Sequence, residues 1–211
     1  MANCIIFCAA EFDTLAEPIA RGDYVIAADG GFAHVQKLGL EPDCVLGDFD
    51  SLGYVPDHAK LFPVEKDDTD AMLAVRRGLD SGCGELILYG SLDGDRVDHT
   101  MANFQLLCFL ADRGARGTLV GLRNIVITVK DETVAFPADF AGTVSVFCMG
   151  APARGVTIRG LKYELIEGEL TSAYPLGVSN SFVGAESRIA VEKGCVLVLF
   201  DTANGMRWRY E

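Results

Sequence analysis

The sequence predicts an α/β N-terminal half built on a mostly parallel sheet, followed by an all-β, sandwich-like C-terminal half. Three observations carry this. Over the first ~120 residues, short runs that are apolar throughout alternate with stretches of helical spacing, the pattern of strands covered on both faces. Beyond Gly121 the pattern becomes short β-rich runs broken by Gly, Pro and Asp, as in sandwiches and barrels. Finally, 50% of the 211 residues are hydrophobic and 23% charged, enough apolar side chain for an extensive core and unlike a disordered chain.

In chain order, residues 4–9, 24–28 and 44–46 are apolar runs, each followed by Gly, Asp or a turn. Between them, residues 31–38 have helical spacing. Residues 70–79 do so more strongly, because Ala71, Ala74, Val75 and Leu79 share one helical face and Thr69 or Asp68 can cap the start. Residues 85–89 form a buried strand, and residues 98–111 a long helix closed by Gly114. In the second half, residues 124–129, 132–136, 143–147, 156–161, 188–191 and 196–200 read as strands. The division falls between residues 1–123 and 124–211.

The chain holds 18 Lys and Arg against 30 Asp and Glu, a formal net charge of −12. Such a surface lacks the basic footprint of a nucleic-acid binder. The seven cysteines contain no C-x-x-C pair, which argues against structural zinc. They are expected to be small buried hydrophobes in a reducing compartment. The start has no basic segment and meets Glu11 and Asp13 early, unlike a secretory signal. No apolar stretch approaches the ~18 residues of a membrane span. A cytoplasmic protein that engages neither membrane nor nucleic acid is expected.

The chemistry concentrates in aspartates at strand ends: Asp29 in A-A-D-G-G, Asp48 and Asp50 in L-G-D-F-D-S, Asp67 and Asp70 in K-D-D-T-D. Gathered carboxylates raise one another's pKa and repel. A cation offsets that cost, and hard oxygen ligands suit Mg²⁺. In open parallel sheets ligands bind beyond the carboxyl ends of the strands, where strand order reverses. Asp29 and Asp48 directly follow apolar runs and would face that crevice. Asp48 and Asp50 are two apart, so an extended segment would place both on one face, within reach of a single ion. A fourth segment, G-S-L-D-G-D-R-V-D-H at residues 90–99, follows the strand at 85–89. Its Arg96 suits a phosphate through paired hydrogen bonds, and Asp98 and His99 open a helix whose N-terminus favours anions. Taken singly, each piece has a plainer reading: Asp-Gly as a turn, Asp68, Thr69 or Asp98 as a helix cap, His99 in a first turn facing water. The chain has no Walker-type phosphate loop, dinucleotide glycine fingerprint or nucleophile elbow. Phosphates must therefore be held by metal, arginine and loop amides.

These segments, in this order and spacing, resemble the thiamine pyrophosphokinase family. The family's A-D-G-G matches residues 28–31, its G-D-x-D-S residues 47–51 and its K-D-x-T-D residues 66–70. Its R-x-D-H matches residues 96–99, and its S-N pair Ser179 and Asn180; Asn103 also fits. The resemblance spans residues ~4 to ~200. It implies transfer of pyrophosphate from ATP to the hydroxyl of thiamine, giving thiamine diphosphate and AMP. It also implies Mg²⁺, a catalytic ATP- and Mg²⁺-binding domain in residues 1–123, a β-sandwich thiamine-binding and dimerisation domain in residues 124–211, and a homodimer whose active sites lie between subunits.

Carried onto this chain, the resemblance makes Asp48, Asp50 and Asp70 the Mg²⁺ ligands and Arg96 a phosphate-binding group. Asp29 or Asp98 is the candidate base. Lys66, Asp67, Thr69, His99 and Asn103 would line the substrates, while Ser179 and Asn180 would contact thiamine from the partner subunit. Two departures stand out. The family's G-G-R is stretched to D-G-D-R, adding Asp93 and Asp95 around Gly94. The Trp some members place after the S-N pair is also absent, which leaves Phe182, Phe200 or Trp208 to stack on thiamine or to fill the core. The alternative is a Mg²⁺-dependent pyrophosphokinase or nucleotide pyrophosphohydrolase acting on a different acceptor. A non-catalytic thiamine sensor fits less well, given the carboxylate set.

Overall fold

A computed structural model describes residues 3–50, 52–63 and 67–211. The first half contributes β1 (Cys4–Phe7), β2 (Tyr24–Ala28), α1 (Gly31–Lys37), β3 (Cys44–Gly47), β4 (Lys60–Leu61), α2 (Asp70–Asp80), β5 (Glu85–Tyr89), α3 (Val97–Ala111) and β6 (Arg116–Val120). The second contributes β7 (Asn124–Lys130), β8 (Thr133–Phe136), β9 (Thr143–Cys148), β10 (Ala153–Arg159), β11 (Leu165–Leu170), β12 (Gly177–Ser181), β13 (Ser187–Ala190), β14 (Cys195–Asp201) and β15 (Arg209–Tyr210). The α/β half and the β-rich half are as the sequence predicts.

One feature differs from a simple two-part layout. The parallel strands and half of the β-rich region form a single ten-stranded sheet, in the order β12-β9-β14-β7-β6-β5-β1-β2-β3-β4. Strands β4 through β6 run parallel. Across the expected boundary, β6 pairs antiparallel with β7, Leu119 opposite Val126. The remaining strands form a second sheet, β11-β10-β13-β8-β15. Two packing layers follow from the strand alternation, since successive side chains point to opposite faces. Ile5, Phe7, Val25 and Ala27 face α1 (Val35), and further along the same core lie Phe136, Phe140 and Phe200 beneath the second sheet. Cys4, Ile6, Ile26 and Ala28 face the other way, onto Ala74 and Val75 of α2 and Leu106, Leu107 and Leu110 of α3.

Strand order reverses at β1: β2, β3 and β4 step away on one side, β5 and β6 on the other. That places the crevice beyond the carboxyl ends of β1 and β5. No helix among the described residues is long and apolar enough to cross a membrane.

Candidate active site

The crevice is a cleft of ≈ 510 Å³. Its walls are the segment after β1 (Cys8–Glu11), Asp29 after β2, Asp50 after β3, Thr69 and Asp70 at the start of α2, the 90–96 loop after β5, and the first turns of α3.

Asp29, Asp48 and Asp50 each place a carboxylate oxygen so that all three lie within 4.8 Å of one another. The local backbone explains how. Asp29 is in the left-handed region at φ 48°, and its N–H donates to the Leu46 carbonyl at 2.8 Å, tying the end of β2 to β3. Gly47, at φ 151°, packs against Asp29. A Cβ there would stand 2.9 Å from the Asp29 Cα, so only glycine lets the two turns meet. The G-D-F-D segment is not extended as expected. Phe49 is also left-handed, at φ 59°, and its ring is buried in the core beneath α1. The buried ring anchors the turn, leaving Asp48 half-buried and Asp50 exposed on either side of it. Non-glycine residues held at positive φ cost about 1–3 kcal/mol each and cluster at functional sites.

Asp70 opens α2, capped by Thr69, whose hydroxyl accepts from the Met72 N–H at 3.2 Å. Both line the cleft, so Asp70 shares the site while Asp29 takes the place expected for it beside Asp48 and Asp50. Burial, reinforced by the Asp70 charge, pushes the neighbouring Cys8 thiol up to about 12. It stays protonated, as expected of an inert core cysteine. Asp67 is exposed and outside the cleft lining, with Asp68 beside it paired to Arg76 at 3.0 Å. Lys66, and Ser51 of the G-D-F-D-S segment, lie outside the described residues.

Arg96 precedes α3 and forms a two-point pair with Asp98: Nη2 to Oδ2 at 2.6 Å and Nε to Oδ1 at 3.3 Å. Arg96 donates to Asp98 and thereby holds its carboxyl below the usual carboxylate range, which makes Asp98 a poor proton acceptor. His99 lines the cleft from the first turn and is exposed. Asn103 is buried and braces the loop: its Nδ2 donates to the Ser91 carbonyl at 2.7 Å, and Ser91 Oγ donates to the Leu88 carbonyl at 2.7 Å. The stretched D-G-D-R loop is held by Asp93, at φ 60°, whose Oδ2 accepts from the Leu122 N–H at 2.8 Å.

The structure does not bring Ser179 and Asn180 to this cleft. Both are on β12, the far edge of the ten-stranded sheet. Asn180 is buried and its amide clamps the neighbouring loop, accepting from the Tyr163 N–H at 2.9 Å and donating to the Tyr163 carbonyl at 2.6 Å. Ser179 is exposed and left-handed, at φ 61°. The aromatic residues considered for stacking are core members: Phe182 packs on Phe136 and Phe140, and Trp208 lies edge-on to Phe200 at 5.3 Å. Sequence reasoning missed the wall formed by Cys8–Glu11. His34 Nε2 meets the Ala10 carbonyl at 3.0 Å and Phe12 packs on Tyr89, and only the topology shows these contacts.

Carboxylates gathered at the switch point of a parallel sheet, beside a loop arginine and joined to a β-rich half, define an α/β enzyme of the phosphate-handling class. Comparison with known proteins narrows the class. Residues 15–118 match the thiamin pyrophosphokinase catalytic domain and residues 124–196 the thiamin pyrophosphokinase vitamin B1 binding domain. The chain belongs to the thiamin pyrophosphokinase family.

Solved structures share the fold. A thiamine pyrophosphokinase from Bacillus subtilis is 20% identical with a TM-score of 0.80, the match covering 95% of this chain and 99% of that one. A thiamin pyrophosphokinase family protein from Enterococcus faecalis is 23% identical with a TM-score of 0.78 over the same shares. For thiamin pyrophosphokinase from Candida albicans the identity is 14%, the TM-score 0.73 and the coverage 95% and 88%. No curated protein matches the sequence.

Proposed function

We propose that the cleft is the nucleotide end of a pyrophosphoryl transfer from ATP to thiamine, yielding AMP and thiamine diphosphate. The observation that carries the proposal is the convergence of Asp29, Asp48 and Asp50 on one point, in a cleft also lined by Asp70 and Arg96. In this reaction the thiamine hydroxyl oxygen bonds to the β-phosphorus of ATP, the bond from that phosphorus to the α-β bridging oxygen breaks so that this oxygen leaves with AMP, and the hydroxyl proton passes to water. Such chemistry rests on positioning and electrostatics.

The donor set is entirely carboxylate oxygen, with neither thiol nor imidazole in it, and that fits Mg²⁺. Asp29, Asp48 and Asp50 would hold the ion, with Asp70 alongside. Bound there, Mg²⁺ neutralises charge on the phosphate oxygens. Arg96 holds a phosphate through whichever of its donors Asp98 leaves available, and His99 and Thr69 border the nucleotide.

The acceptor end requires a second subunit. From β1 to β12 the sheet makes six interstrand steps, about 29 Å at ~4.8 Å each, too far for one thiamine to bridge. We assign the acceptor contacts to Ser179 of a partner chain, with Asn180 bracing it, in a cytoplasmic homodimer with shared sites. Exposed Val178 on the edge strand, and exposed Tyr174 and Leu176 in the segment leading into it, precede Ser179, an apolar surface of the kind that marks interfaces.

A cleft from which Ser179 and Asn180 of the same chain are remote also suits a hydrolase, with water in place of thiamine. Purified protein with Mg²⁺ and ATP separates the two. Thiamine-dependent release of AMP supports transfer, equal release without thiamine supports hydrolysis, and no AMP in either case overturns both.

A further inference from the structure

Five of the seven cysteines are buried, whereas Cys108 and Cys195 are half-buried and reach solvent. Cys108 is in the last turns of α3 and Cys195 opens β14, and their thiols lie within hydrogen-bonding reach of each other. A separate set of contacts fixes that approach. Cys195 registers opposite Lys130 of β7. The Lys130 ammonium donates to Asp112 Oδ1 at 2.7 Å and to the Ala111 carbonyl at 3.4 Å. Asp112 in turn donates its N–H to the Cys108 carbonyl at 2.9 Å. A lysine on the neighbouring strand thus clamps the end of α3 over the start of β14.

We propose that Cys108 and Cys195 form an oxidisable dithiol site, which takes small hydroperoxides such as hydrogen peroxide and closes to a disulfide tying α3 to β14.

The surroundings assign the two sulfurs different parts. Cys108 accepts the hydrogen bond from Cys195 and feels the Lys130 ammonium, which together hold its thiol below the ordinary value against burial and the Asp112 charge. Cys195 donates that bond and is pushed up, so it keeps its proton. Cys108 is therefore the attacking thiolate. Its sulfur bonds to one peroxide oxygen, the O–O bond breaks, and the departing hydroxide takes the proton Cys108 gave up, leaving a sulfenic acid and water. The Cys195 sulfur then attacks the Cys108 sulfur. The S–O bond breaks, and the released oxygen takes the Cys195 proton to leave as a second water. Two thiols lose two electrons and one peroxide gains them. The other hydrogen-bonded thiol pair, Cys4 and Cys83, is an internal control, because both are buried and the Cys4 thiol is pushed far above its ordinary value, mainly by burial.

The test treats the full chain with one equivalent of hydrogen peroxide, unfolds it and counts thiols. The expected result is a fall from seven by two, with a peptide map showing Cys108 joined to Cys195. Cys195→Ser should stop at a Cys108 sulfenic acid that dimedone traps, and Cys108→Ser should keep its remaining thiols. Retention of all seven thiols in the natural chain, a link between Cys4 and Cys83, or thiol loss equal in both variants would overturn the assignment. The peptide map of the natural chain decides the matter even if a variant does not fold.

Discussion

Asp93 offers a sharp perturbation of the site, because two separable properties hold it in place. Its backbone is left-handed at φ 60°, and its carboxylate accepts the Leu122 N–H at 2.8 Å. Gly121 makes room for this contact, since a Cβ there would overlap Asp93 Oδ2. Ala at position 93 forfeits both properties. The left-handed backbone costs it roughly 1 kcal/mol, and the lost hydrogen bond, in a solvent-exposed setting, about 1 kcal/mol more. Gly removes the backbone cost and forfeits only the bond, whereas Asn tolerates the conformation and keeps an acceptor oxygen. If the loop must be latched for Arg96 to hold the nucleotide, about 2 kcal/mol corresponds to a drop of roughly 30-fold in kcat/KM for Asp93→Ala, and about 1 kcal/mol to roughly fivefold for Asp93→Gly. Asp93→Asn should stay within about twofold on the same reasoning. Steady-state AMP release at varied ATP, with a thermal melt of each variant, measures this. Asn as damaging as Ala would show that the charge matters rather than the latch, and three unchanged rates would show that the loop does not position Arg96.

Asp29→Asn and Asp48→Asn should each reduce turnover on the order of 10²-fold or more with little change in melting temperature, and normal turnover in either removes that residue from the ion site. Chelation with EDTA should abolish AMP release and added Mg²⁺ restore it; activity that persists in chelator would rule the ion out. Asn180→Ala strips a buried amide from the Tyr163 backbone and should lower stability by about 2–3 kcal/mol. Urea unfolding checks this, and a loss under about 0.5 kcal/mol would contradict the clamp. The Asp98 carboxyl is lowered in the folded state by Arg96, so the pairing contributes above the ordinary value near ~3.9 and is lost only as pH falls through the lower folded value. The Asp98 carboxyl followed by NMR should therefore titrate below the ordinary carboxylate range in the natural chain and move up toward it in Arg96→Ala, and an Asp98 titration that is the same in both would mean that Asp98 is not so paired.

Much of the α/β half is legible because its strands are apolar on both faces and its helices have single apolar stripes. The strand at residues 24–28 and the helices starting near 31, 70 and 98 follow directly. The convergence of acidic strand ends is legible too, since parallel topology sends every such end to one crevice. What escapes is tertiary. The polar strands at 165–170 and 177–181 carry no apolar alternation, and the short runs at 60–61, 116–120 and 209–210 form only because a neighbouring strand completes their ladders. Phe49 is an apolar residue between two carboxylates, and nothing local reveals that its burial turns the segment. Asp29 displaces Asp70 from the three-oxygen group for a similar reason: the close approach of Asp29 and Gly47 joins residues far apart in sequence.

The antiparallel pairing of β6 with β7 joins the two halves through one hydrogen-bonded ladder, so no hinge separates them and they should unfold as a single cooperative unit. A fragment ending near residue 121 would leave β6 as an open edge. Its unpaired amides and the buried Leu119 and Val120 would then invite pairing with other chains. The β-rich half thus serves the first half as a permanent edge cover, and aggregation of the isolated N-terminal fragment is the expected cost of removing it.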